Sequence, residues 1–216
     1  MRQIIENVST NYPWLLREID NCPNKIYVRG NKEVMGSQKM VAIVGSREVD
    51  DYSIRVIGEM VKGLVGAGWT IVSGLALGVD ALVARSTIEA GGKAIAVIPG
   101  GVGVARPKAN SEVFDLIIKS GGAIVSEDEN GTGVNRESFL RRNRIVAGMS
   151  KGIVVISGRT RSGTLNTAAW GGRLGREVMA VPGRVTDELS GAPNWLLKNG
   201  AGLVTNSTDV LEILNI

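Results

Sequence analysis

The chain has 216 residues, is 44% hydrophobic, and carries 25 Lys and Arg against 21 Asp and Glu for a net charge of +4. It contains no histidine and a single cysteine, Cys22, which argues against histidine-based catalysis, a zinc site and an internal disulfide framework. The mild basicity favours polyanionic partners only slightly, so the placement of the charges matters more than their sum.

This length fits one large domain, or one domain with a small appendage. Residues 1–38 are expected as the appendage. A short helix starts at Pro13 and runs to Asp20, Ile26–Val28 reads as a short strand, and Gly30–Lys39 as a polar connector. From residue 39 to 216 apolar strands alternate with helices. The strands are Val41–Val44, Thr70–Val72, Lys93–Ile98, Ala123–Val125, Gly152–Ile156, Glu177–Val181 and a short Leu203–Val204. The helices are Tyr52–Val65, Val79–Glu89, Ser111–Lys119, Glu137–Met149, Thr164–Leu174, Trp195–Lys198 and Thr208–Leu214. Alternation of this kind predicts parallel βαβ units, and strands apolar throughout predict a sheet covered on both faces. The expected fold is therefore α/β, a Rossmann-like doubly wound, mostly parallel sheet with helices on both faces and a small N-terminal helical appendage. The apolar runs are too short to span a membrane, and Met1-Arg2-Gln3-Ile4-Ile5-Glu6 lacks a signal-peptide core. With the lone cysteine, this predicts a cytoplasmic protein without membrane partners.

Three polar loops directly follow apolar strands: Gly45-Ser46-Arg47, Ser73-Gly74 running to Gly78, and Arg161-Ser162-Gly163-Thr164. In an open parallel sheet the carboxyl ends of the strands converge on one crevice. Small residues there admit an anion to backbone N–H groups, and helix N-termini add positive potential. Neither a Gly-x-Gly-x-x-Gly dinucleotide fingerprint nor a Gly-x-x-x-x-Gly-Lys phosphate loop is present. Asp80 either caps the helix after Gly78 or orients an arginine. The glycines of Pro99–Gly103 permit close backbone approach, and Lys108 farther along that loop is within reach of a phosphate. Arg136, Arg141, Arg142 and Arg144 form one charge cluster, Arg159 and Arg161 another. Arg142, Asn143 and Arg144 run straight into Ile145-Val146-Ala147, so part of that cluster lies near the core, where a guanidinium needs a phosphate or Asp80 as partner. Ser162, the amides of Gly163 and Thr164, and Thr167 one turn on are candidate phosphate ligands. Each loop alone also reads as an ordinary capped turn. Several of them at successive strand ends share one crevice.

The ordered set Ala42-Ile43-Val44-Gly45-Ser46-Arg47, Ser73-Gly74-Leu75-Ala76-x-Gly78-x-Asp80-Ala81, Glu89-Ala90-Gly91-Gly92, Arg142-Asn143-Arg144-Ile145, Ser162-Gly163-Thr164-Leu165-x-Thr167-Ala168 and Val181-Pro182-Gly183 resembles the DNA-processing protein A family, also called Smf. The likeness runs from Tyr12-Pro13 to about Gly202. It implies a Rossmann-like, non-enzymatic protein that binds single-stranded DNA in DNA uptake and recombination, helps load a RecA-type recombinase and forms homodimers, with no cofactor. The implied DNA pocket comprises Gly45, Ser46, Arg47, Ser73, Gly74, Lys108 and Asn110 of the Pro107–Asn110 segment, Arg142, Asn143, Arg144, Ser162, Gly163 and Thr164. The sequence departs from the family pattern at Val83-Ala84, where a histidine is usual, and at Gly100-Gly101, where Cys-Gly is usual. The winged-helix and larger helical domains of many family members are not expected within these residues.

A second reading is a nucleotide-binding or nucleotide-hydrolysing enzyme, because the same Rossmann variant resembles the lysine-decarboxylase-like phosphoribohydrolases. Their signature Pro-Gly-Gly-x-Gly-Thr-x-x-Glu needs a glutamate. Thr167 stands there after Gly163-Thr164, and the Pro99-Gly100-Gly101-Val102-Gly103 run continues without one.

Overall fold

A computed structural model describes residues 2–214. In chain order the elements are β1 (Arg2–Glu6), α1 (Trp14–Arg17), β2 (Lys25–Gly30), β3 (Met40–Val44), α2 (Asp51–Gly66), β4 (Thr70–Ser73), α3 (Val79–Glu89), β5 (Ala94–Val97) and α4 (Ser111–Lys119). There follow β6 (Ala123–Ser126), α5 (Arg136–Met149), β7 (Gly152–Val155), α6 (Gly163–Arg173), β8 (Glu177–Ala180), α7 (Gly191–Lys198), β9 (Gly202–Leu203) and α8 (Ser207–Ile213). All nine strands form one sheet in the order β1-β2-β6-β5-β4-β3-β7-β8-β9. Every pairing from β6 to β9 is parallel, while β2 lies antiparallel to β6 and β1 antiparallel to β2.

Strand pleating sorts the core. Along β3, Ala42 and Val44 face a layer built from α1, α5, α6 and α7, with Leu16, Ile145, Val146, Met149, Ala168 and Leu196 buried against it. The intervening Val41 and Ile43 face the opposite layer, where Ile57, Met60, Val61 and Leu64 of α2, Val79 and Val83 of α3 and Val210 of α8 pack. Farther along that same face, α4 places Val113, Phe114 and Ile117 on Ala94, Ala96 and Ile124. The period of two along each strand thus serves two helical layers at once, which is why the strands carry no polar alternation. Among the described residues no helix is long and apolar enough to cross a membrane.

The N-terminal segment differs from expectation. The helix expected from Pro13 to Asp20 is one turn, Trp14–Arg17. Pro23 lies just beyond, and the chain turns back through a Cys22 N–H to Ile19 carbonyl bond of 3.0 Å. Two strands replace the expected one. β1 leaves only Ile5 buried, as an edge strand does, so its polar sequence carries little pattern. The connector holds a 3-10 turn, Lys32–Gly36, capped by Asn31, which buries Val34 and Met35. Tyr12, Leu16, Ile19, Ile26, Val28 and Met35 belong to the same apolar cluster as α5 and the central strands. The segment is therefore continuous with the main core.

Leu16 is fully buried and packs over Gly148 of α5, where an added Cβ would lie 2.9 Å from its Cδ1. Leu16→Ala is expected to cost about 2–5 kcal/mol. Urea unfolding should remain one cooperative transition with a lowered midpoint. A separate early transition for the N-terminal segment would show that it does not share the core.

Candidate functional site

From β3 the chain winds outward through β4, β5 and β6, then crosses back to place β7 on the other side of β3. The strand order reverses between β3 and β7, the point at which open α/β sheets leave a crevice. A cavity of about 890 Å³ opens there, walled by the loops after β3, β4 and β7 and by one face of α5.

The first wall is fixed by glycines. Gly78 has φ +75°, and a Cβ on it would lie 2.4 Å from the carbonyl oxygens of both Ser46 and Arg47. The Val79 amide donates to the Ser46 carbonyl at 2.9 Å. Gly45 lies against the Val79 side chain, which an added Cβ would meet at 2.7 Å. The loop 45–47 is thus seated directly on the start of α3, with no room for side chains between.

The floor rests on two buried charged side chains that meet at Gly74. Asp80, 6% exposed, accepts hydrogen bonds from the amides of Gly74 at 3.1 Å and Ala76 at 3.2 Å. Arg142, 7% exposed, donates to the carbonyls of Gly74 and Val97 and, through Nε, to Asn143 Oδ1 at 3.1 Å. Burial pushes the Asp80 carboxyl up, opposed by the Arg142 charge and by the two amides. Burial pulls the Arg142 guanidinium down to about 10, opposed by Asp80 and reinforced by Arg47, and it stays charged near neutrality. Gly74 fits between them: a Cβ there would come within 2.6 Å of Asp80 Oδ2 and 2.7 Å of Arg142.

The far wall is the start of α6. Ser162 is its extended N-cap, but its hydroxyl makes no capping bond and is buried without a partner. The first-turn amides that follow, from Gly163 onward, have no intrahelical acceptor. Asn143 on α5 donates to Asn166 Oδ1 at 3.1 Å and ties the two helices together.

Positive charge is uncompensated at this crevice. Arg47, Arg136, Arg142, Arg159 and Arg161 line it, against the carboxylates of Glu48 and Asp80. Among the described residues Arg47, Arg136 and Arg161 are exposed and have no ion-pair partner. Arg159 pairs with Glu48 and Glu188.

Of the residues singled out in the sequence, Gly45, Ser46, Arg47, Gly74, Arg142, Asn143, Ser162, Gly163 and Thr164 line this cavity. Four lie outside its walls. Ser73 is buried beneath it, its hydroxyl donating to the Ile43 carbonyl at 2.9 Å. Asn110 is buried and spends its amide on the carbonyls of Leu75 at 2.9 Å and Ala76 at 3.0 Å, so it supports the loop after β4. Lys108 is exposed on the 3-10 turn Lys108–Asn110. Arg144 points away: two residues on from Arg142 is roughly 200° round the helix, and its guanidinium pairs with Glu127 at 2.7 Å. Sequence reasoning placed Arg161 in an anion-admitting loop, treated Arg136 and Arg159 only as clustered charge and passed over Glu48. Helical spacing was the available signal for α5, since Arg136, Phe139, Leu140, Asn143 and Val146 share one face toward the cavity.

Asp80→Ala strips the acceptor from two amides and the counter-charge from Arg142. The expected loss is about 3–5 kcal/mol by urea unfolding, while Arg47→Ala should fall within about 0.5 kcal/mol of wild type. Equal stability of the two variants would contradict the buried node.

The sequence model of the family described as DNA recombination-mediator protein A matches residues 3–215. The chain is 34% identical over 206 residues to DNA processing protein DprA of Bacillus subtilis, which covers 95% of this chain and 69% of that protein. The X-ray structure of DNA processing protein A from Streptococcus pneumoniae superposes with a TM-score of 0.90 at 36% identity, over 97% of this chain and 73% of that one. The corresponding protein from Helicobacter pylori, described for its single-stranded DNA binding mode, gives a TM-score of 0.88 at 27% identity over 99% and 95%. With its sequence matched from residue 3 to 215 and its fold shared at that level, this chain belongs to the DNA recombination-mediator protein A family.

Proposed function

We infer that the crevice between β3 and β7 binds the sugar-phosphate backbone of single-stranded DNA, largely without regard to sequence, in DNA uptake and recombination. The observation that carries this reading is the convergence of Arg47, Arg136 and Arg161, unpaired among the described residues, on one cavity. Unpaired guanidiniums around orphan helix-start amides form a phosphate site. Phe139 is the one aromatic residue among those lining the cavity, and aromatics make up 4% of the chain, so an extended base-stacking platform is not part of the design. Lys108 lies outside the cavity, but Asn110 two residues on holds the Ala76 carbonyl at its rim. We place Lys108 on the path of a strand that leaves the cavity past Ala76. The related Helicobacter pylori protein, described for single-stranded DNA binding, supports the same ligand. We propose also a RecA-type recombinase as further partner, self-association into a homodimer and a cytoplasmic location, a reading the family membership supports.

A nucleotide-cleaving enzyme is the weaker reading. The two carboxylates that reach the cavity are already engaged, Glu48 with Arg159 and Asp80 with backbone amides, and Thr167 occupies the position where that chemistry needs a glutamate.

Single-strand binding is expected to weaken steeply with salt. Arg47→Ala and Arg161→Ala should each lower oligo-dT affinity several-fold and reduce the slope of log K against log salt by about 0.7. Arg144→Ala should leave that slope unchanged. Wild-type affinity in both cavity variants, measured by fluorescence anisotropy across a salt series, would refute the assignment. Incubation with nucleoside monophosphates should release no free base.

A further inference from the structure

Arg159 behaves unlike the other exposed arginines of the crevice. Its guanidinium donates to Glu48 Oε2 at 3.1 Å and also to Glu188 Oε2. Glu48 sits in the loop after β3, Arg159 in the loop after β7, and Glu188 in the 3-10 turn Glu188–Ser190 after β8. One side chain therefore links loops at the ends of three adjacent strands, across the mouth of the cavity that Arg159 and Glu48 line.

The backbone beneath it is firmly held. The Gly158 amide donates to the Leu189 carbonyl at 2.6 Å, and the Ala192 amide donates to the Gly158 carbonyl at 2.7 Å. The side chains above are wet, at 54% exposed for Arg159, 66% for Glu48 and 74% for Glu188. Ion pairs this exposed are weakly held, each worth about fivefold at most in an equilibrium constant. The geometry thus combines a fixed base with a head group that changes partners at small cost.

We propose that Glu48 and Glu188 form a carboxylate latch on Arg159, holding it in reserve until the phosphates of an incoming strand displace them. This rests on the reading of the crevice as a phosphodiester site. In the empty protein, Arg159 masks the negative charge of Glu48 at the mouth. On binding, a phosphate takes the place of the carboxylates on the guanidinium, and Glu48 and Glu188 turn into solvent. Binding then exchanges one anion for another at Arg159, so this arginine adds little net affinity in the wild-type protein. Glu48 and Glu188 are positioning residues that set how tightly the site holds a strand.

The test is oligo-dT binding across a salt series for wild type, the double variant Glu48→Gln/Glu188→Gln, Arg159→Ala, and the triple variant combining all three changes. The double variant should bind about three- to tenfold more tightly than wild type, with a salt slope steeper by about 0.7 as Arg159 becomes a full phosphate contact. The gain should be at least halved when the same two changes are made in Arg159→Ala. No gain, or an equal gain with Arg159 removed, would overturn the latch and leave the phosphodiester site standing. If the wild-type protein bound no oligonucleotide at low salt, the reading of the crevice itself would fall, and the latch with it.

Discussion

The structure turns on the buried guanidinium of Arg142. Its N–H groups close off the carbonyls of Gly74 and Val97, at the ends of β4 and β5, while Asp80 on α3 ties down the amides of Gly74 and Ala76 from the other side. α3 and α5 come from opposite faces of the sheet, so the two side chains tie both helical layers to Gly74 at the strand ends. A charge nine-tenths buried is retained only where hydrogen bonds and an opposite charge offset its desolvation. That requirement fixes the loop after β4, and with it the floor on which every other part of the crevice rests.

With Arg142 committed to the interior, the exposed charge of the crevice falls to arginines on loops and on the first turn of α5. Arg47 is held by the seating of its loop on Gly78, Arg136 by the Asn135 and Ser138 capping box, and Arg161 by the turn into α6. Each is anchored by backbone contacts of its own loop or helix start and reaches outward through a long side chain. On the proposed reading the arrangement suits a polymer with one charge per repeat, because such a site would recognise spacing and charge instead of one molecular outline.

Much of the core was legible because both sheet faces are covered. A run such as Val41-Ala42-Ile43-Val44 has no solvent side and announces itself locally, and α3 and α4 lie where glycine and capping signals place them. The strand-end loops were legible for the same reason, each being a local motif. What escaped was information carried by distant pairing or by helical phase. The strand at Ile26–Val28 was legible, but its place beside β6 was not, and β1 is a strand only by pairing with β2. Arg142 and Arg144 look equivalent in sequence, yet the turn of α5 sends one to the cavity floor and the other to Glu127. The Glu48–Arg159 pair spans 111 positions and leaves no local trace.

The pairing of β2 with β6 also sets an order of events. Tyr27 opposes Ser126 and Arg29 opposes Ile124, so the register closes a loop of about a hundred residues. β1 and β2 are made before β6, so their partner edge does not exist until about a hundred further residues have followed. Until then Tyr12, Leu16, Ile26 and Val28, all core residues in the finished fold, have nowhere to be buried. A segment made so far ahead of its partner strand reaches its native neighbours late, and its apolar side chains are the ones a chaperone would meet.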